Sequence, residues 1–95
     1  MQMGLENKEK RLKLSHSQEW LRLSKNLHTA CLNLLKKENV TPAELDEKIG
    51  VNSGEVARYL ERLEEGEDVY ISGLIRIIHA LGYIMNIKLE KSNES

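Results

Sequence analysis

Ninety-five residues with 40% apolar content make one small domain with a single modest core, since a chain this size buries little more than about 60% of its unfolded surface. Aromatics at 4%, with no Phe, leave that core to Leu, Ile and Val, which suits a helical bundle and disfavours an all-β sandwich. The net charge of −1 conceals a strong asymmetry along the chain, and the length leaves no space for an enzyme with a deep cleft.

Residues 1–15 are polar and charged, and read as a mobile arm, helical from Glu6 when docked. Two readings stand for it: a solvated tail, or a segment that folds onto a partner or lays Lys8, Lys10, Arg11 and Lys13 along phosphates, with Leu5, Leu12 and Leu14 to bury. No apolar run there is long enough for a signal peptide or a membrane span, and Cys31 is the only cysteine. An intramolecular disulfide and a cysteine-rich zinc site are therefore excluded, and a cytoplasmic protein with no membrane partner is expected.

Ser15 or Ser17 can cap a long helix reaching about Glu38, with Trp20, Leu23, Leu27, Cys31 beside Ala30, and Leu34 on one apolar face. After the connector Asn39-Val40, Thr41 suits an N-cap and Pro42 the first helical position, while Leu45 and Ile49 follow four apart. Gly50 then suits a left-handed helix end, and Asn52 or Ser53 can cap a second helix burying Val56, Tyr59 and Leu60. Two short helices joined by a glycine-containing turn, over residues 41–65, form a helix-turn-helix unit.

Ser72 suits the N-cap of a last helix carrying Leu74, Ile75, Ile77, Ile78 and Leu81, stopped by Gly82. Residues 83–89 alternate, with Tyr83, Met85, Ile87 and Leu89 on one side, and read as a β-strand. A lone strand cannot satisfy its own backbone. Pairing with the same strand of a second copy gives a two-fold homodimer, whereas pairing with the N-terminal arm gives a monomer. The organisation expected is an arm at 1–15, a domain at 16–90 and a polar tail at 91–95.

The positions of Leu45, Ile49, Gly50, Val51, Val56 and Tyr59, and the stretch TPAELDEKIGV, resemble the lambda-repressor-like (XRE) helix-turn-helix family. Residues 67–74 and 80–83 are similar to the tail of XRE-type antitoxins, so the likeness covers roughly residues 18 to 90. It implies a mainly all-α, compact domain of four to five helices, with the C-terminal strand paired across the dimer. Two departures stand out. Val56 and Gly66 are ten apart where the family has about six, which lengthens the recognition helix by about one turn. Asp46 stands where the family usually has alanine, so either the helices splay and solvate it or it pairs with a base such as Arg58.

Catalytic chemistry has no motif here. His16, His28 and His79 lack metal-ligand spacing, Ser53 and Ser72 sit in no nucleophile elbow, and no glycine loop would cradle a phosphate. No enzyme activity, metal or cofactor is expected. The helix-turn-helix reading puts Asn52, Ser53, Gly54, Glu55 and Arg58 at base edges of double-stranded DNA, Thr41 and the first helix's amides at a phosphate, and Arg62 within reach of another.

Charge complicates that picture. Residues 1–38 hold eight Lys/Arg against four acids, whereas residues 41–66 hold Lys48, Arg58 and Arg62 against Glu44, Asp46, Glu47, Glu55, Glu61, Glu64 and Glu65. Affinity for DNA comes mostly from phosphate neutralisation, so dimerisation and the basic arm have to supply what the motif lacks. Two functions follow as expectations. One is a dimeric XRE-type repressor of its own operon that is also the antitoxin of a toxin–antitoxin pair. The other is a protein-interaction module that masks a toxin, its acidic helix-turn-helix kept as a scaffold.

Overall fold

The computed structural model describes residues 3–91, with side chains from Gln18 onward, and among them every regular element is helical. In chain order these are α1 (Met3–Glu38), α2 (Pro42–Ile49), α3 (Glu55–Glu65) and α4 (Ile71–Ala80). The expected helix start at Ser15 or Ser17 is not a boundary, because the backbone is already helical from Met3 and runs through it without a break. The side chains of Lys8, Lys10, Arg11 and Lys13 lie outside the described residues, as does the tail from residue 92.

All four helices end in the same way. A residue with positive φ closes each one: Asn39 at 56°, Gly50 at 86° and Gly66 at 76° directly after α1, α2 and α3, and Gly82 at 91° one residue beyond Leu81 after α4. The next amide reaches back five residues, from Val40 to the Leu35 carbonyl, Val51 to Asp46, Glu67 to Arg62 and Tyr83 to Ile78, each at 3.0 Å. This Schellman closure satisfies carbonyls that the helix end would otherwise orphan, and it turns the chain sharply enough for short connectors. Asparagine tolerates the left-handed conformation better than other side chains, which is why Asn39 serves where the other three positions have glycine.

The core lies where α1, α2, α3 and α4 converge. Leu45 and Leu63 are wholly buried, and Cys31, Leu35, Val56, Leu60, Leu74, Ile77 and Leu81 complete it. The buried side of α1 is rotated from the expected one: Ser24 is buried, while Leu23 is 42% exposed. A small residue is needed there because the turn after α3 crosses α1 closely. A Cβ on Gly66 would stand 2.5 Å from Leu21 Cδ1 and 3.6 Å from Ser24 Oγ. The Ser24 hydroxyl donates to the Leu21 carbonyl at 3.1 Å and so costs nothing to bury. Trp20, packed on the core edge, donates its indole N–H to the Glu67 carbonyl at 3.1 Å and pins the same turn.

Ser72 does not cap α4. The N-cap is Tyr70, with no side-chain cap bond, and its carbonyl instead accepts from the Tyr59 hydroxyl at 2.7 Å and from the Gly73 amide at 3.1 Å. Ile75 is 47% exposed, because α4 turns its Leu74–Ile77–Leu81 side to the core.

Residues 83–89 form no strand in the single chain. Tyr83 and Met85 pack against the chain's own core, and the Tyr83 hydroxyl donates to Glu38 Oε2 at 2.7 Å. Only the far half of the expected face, Ile87 at 71% and Leu89 at 90%, is exposed.

Gly73 gives a sign test of this packing. Alanine is favoured in helices by about 0.5–1 kcal/mol, but a Cβ would meet Tyr59 Cε2 at 2.6 Å, on a ring already tied by its hydroxyl. Gly73→Ala is therefore expected to destabilise the domain by about 1–2 kcal/mol in urea denaturation, against the propensity trend. A stabilised variant would show that Tyr59 is free to move.

Candidate nucleic-acid interface

α2 starts with a capping box. The Glu44 amide donates to Thr41 Oγ1 at 3.2 Å, and the Thr41 amide and hydroxyl both donate to Glu44 Oε1 at 3.1 Å. Pro42 needs no acceptor in this first turn. The Thr41 hydroxyl is thus engaged within the chain, and the Glu44 carboxylate lies at the start of α2, where a phosphate contact is expected.

The start of α3 is held differently from the expected cap at Asn52 or Ser53. Its N-cap is Gly54, at φ 88°, with no side-chain bond of its own. The cap comes from across the turn: Asp46 accepts from the Gly54 amide at 2.8 Å through Oδ2 and from the Val56 amide at 2.9 Å through Oδ1. Asp46 is only 5% exposed, so the helices do not splay, and its partners are backbone amides rather than Arg58. A buried carboxylate is costly alone, but two amide donors at a positive helix end compensate it. The same residue's carbonyl closes the end of α2 through Gly50 and Val51. One aspartate thus fixes both sides of the 50–54 turn.

What this leaves exposed is the leading edge of α3. Asn52, Ser53, Glu55 and Arg58 are exposed, and Gly54 is half-buried with its amide committed to Asp46. Arg58 has no ion pair or side-chain hydrogen bond among the described residues. Arg62, also exposed, stands 3.9 Å from Glu67 across the closing turn of α3, so it faces a carboxylate already. α3 runs to Glu65 and closes at Gly66, the length expected from the Val56–Gly66 spacing.

Acidity is concentrated at the other end of this helix. Glu65 shares a hydrogen bond with Glu67, loses some hydration and feels the charges of Glu67, Glu61 and Glu64, which together hold its carboxyl above the ordinary range. A helix C-terminus adds its own unfavourable partial charge to that crowding. His28, from α1, lies 3.9 Å from Glu64.

The remaining reactive groups do not gather. Burial pushes the Cys31 thiol up to about 11, which keeps it protonated and unreactive. No set of three or more His, Cys, Asp or Glu residues is arranged for a metal, and no helix is long and apolar enough to cross a membrane, among the described residues. Comparison with protein-family models, curated proteins and solved structures finds no match to this chain.

Two measurements test this geometry. Asp46→Ala leaves two amide donors unpaired and is expected to cost about 2–4 kcal/mol in urea denaturation, with Asp46→Asn, which keeps one acceptor, costing about half. An Ala variant within about 0.5 kcal/mol of the parent would deny the aspartate its role. For Glu65 the folded state raises the carboxyl pKa, so its ionisation weakens the fold as pH rises through the carboxylate range. Glu65→Gln should then raise the melting temperature at neutral pH, with the gain vanishing in acid and shrinking in salt. A gain independent of pH would contradict the charge explanation.

Proposed function

We propose that α2, its turn and α3 form a helix-turn-helix, and that the chain is a sequence-specific DNA-binding regulator of the XRE type, repressing its own operon as a dimer. The observation that carries this reading is the leading edge of α3: Asn52, Ser53, Glu55 and Arg58 are exposed together, and the Asp46 cap fixes the helix that bears them. In a helix-turn-helix this end of the second helix enters the major groove. Arg58 suits a guanine edge and Glu55 a cytosine amino group. Thr41 and Arg62, which have intramolecular partners, and the committed amide of Gly54 fall from the list of first contacts.

The dimer belongs to this proposal through the far half of the 83–89 segment. Ile87 and Leu89 are both more than two-thirds exposed, an apolar edge that pairing with a second copy would cover. A second reading draws on the carboxylates at the end of α3. Glu61, Glu64, Glu65 and Glu67 present a concentrated negative surface to a basic protein, as an antitoxin that masks a nucleic-acid-cleaving toxin would need.

The test is fluorescence anisotropy with the duplex from upstream of the protein's own gene, against a scrambled duplex. Selective binding is expected, with Arg58→Ala costing about 1–3 kcal/mol on the upstream duplex and little on the scrambled one. Equal affinity for the two duplexes would remove the regulator reading. A stable complex with a small basic protein encoded beside the gene would then favour the second.

A further inference from the structure

The outer face of α1 is a charged surface that the proposed function leaves unused. At 3.6 residues per turn, the third of the helix circumference centred on Arg22 also carries Lys25, Lys36 and Lys37, all exposed. Gln18, Asn26, Thr29 and Asn33 fill the other described positions of that arc and are exposed as well. Glu19, at its edge, is the one acid there among the described residues, and it pairs with Arg22 in an open ion pair. Exposed pairs of this kind contribute little and exchange readily for other partners.

A solvated helix face ordinarily mixes the two signs at intervals of three and four. Here the signs are sorted across the molecule. The arc lies opposite the side of α1 that buries Ser24, Cys31 and Leu35, and α3, with Glu61, Glu64 and Glu65, lies on that buried side. A second copy docking its acidic α3 on the arc would gain only screened surface pairs, which contribute little. A polyanion gains the release of its condensed counterions as well, which makes a nucleic acid the better occupant. From Arg22 to Lys37 the arc runs 15 residues, about 22 Å, roughly two-thirds of the 34–36 Å of one DNA turn.

We propose that the outer face of α1, turned away from the side on which α3 packs, is a second, sequence-indifferent contact for duplex DNA, so that one protomer bridges two duplex segments. The proposal rests on the DNA-binding reading for the class of its partner. Arg22, Lys25 and Lys36 hold phosphates, and Thr29 and Asn33 lie between them as neutral donors.

The test loads the full chain onto immobilised upstream duplex and measures capture of a second, fluorescent duplex of unrelated sequence at about 50 mM salt. The variant R22Q/K25Q changes two exposed positions to good helix formers, so its fold is kept. It should bind the upstream duplex within about twofold of the parent, capture about tenfold less second duplex, and lower the salt slope of capture by about two. Thr29→Lys, which adds a cation to the arc, should raise capture. The proposal is overturned if the parent captures no second duplex, if R22Q/K25Q captures as the parent does, or if it loses both duplexes together. A scrambled immobilised duplex separates the two claims: equal loading on it overturns base reading by α3, while dependence of capture on Arg22 and Lys25 still supports the α1 contact.

Discussion

The arrangement of this domain depends on one carboxylate. Asp46 sits in α2 at 5% exposure and accepts the Gly54 and Val56 amides that begin α3, while its own carbonyl closes α2. Without it the first turn of α3 has no side-chain cap, because Gly54 brings none. An ionised group is usually expelled from a core, but here the helix end supplies donors and partial positive charge at the place where the group is buried. The turn therefore gains a fixed geometry from a residue whose chemistry would otherwise oppose burial.

Around that clamp the fold uses close approaches in place of a large core. Gly66 lets the α3–α4 turn cross α1 at Leu21 and Ser24, and Gly73 lets α4 meet the Tyr59 ring. Trp20 and Tyr59 each donate to a main-chain carbonyl in the segment between α3 and α4, at Glu67 and Tyr70. A chain with so few aromatics thus places two of them where they hold a connector rather than fill the interior. Charge follows the same layered plan, with cations outward on α1 and carboxylates at the far end of α3, and the leading edge of α3 carries little net charge between Glu55 and Arg58.

The helices, the start of α2 and the closing turns were largely legible in the sequence, because Pro42, Gly50, Gly66 and Gly82 state backbone needs that few other residues meet, whereas the starts of α1, α3 and α4 were not. Cys31, Leu45, Val56, Leu60, Leu74 and Leu81 declared themselves by periodicity. The rotation of α1 was not legible, since Leu23 and Ser24 differ by one position and only the crossing at Gly66 decides which is buried. Asp46 was visible as an anomaly, yet its partners are backbone amides eight and ten residues on, and amides carry no sequence signature. Ser53 and Ser72 look like caps for the complementary reason: a side chain able to cap is easy to see, whereas a helix start held from another helix, as at α3, or left without a side-chain cap, as at Tyr70, is not. The alternation at 83–89 is real, but two of its four residues serve the chain's own core.

In the proposed function the leading edge of α3 meets DNA, presented by a turn that Asp46 holds. The most direct measurement is amide chemical-shift mapping of the full chain by NMR during titration with the upstream duplex and with its scrambled counterpart. Shifts at residues 52–58 that appear with the upstream duplex and not with the scrambled one, beside any α1 shifts that the two duplexes share, are the predicted result. Shifts that leave residues 52–58 untouched, with either duplex, would contradict it.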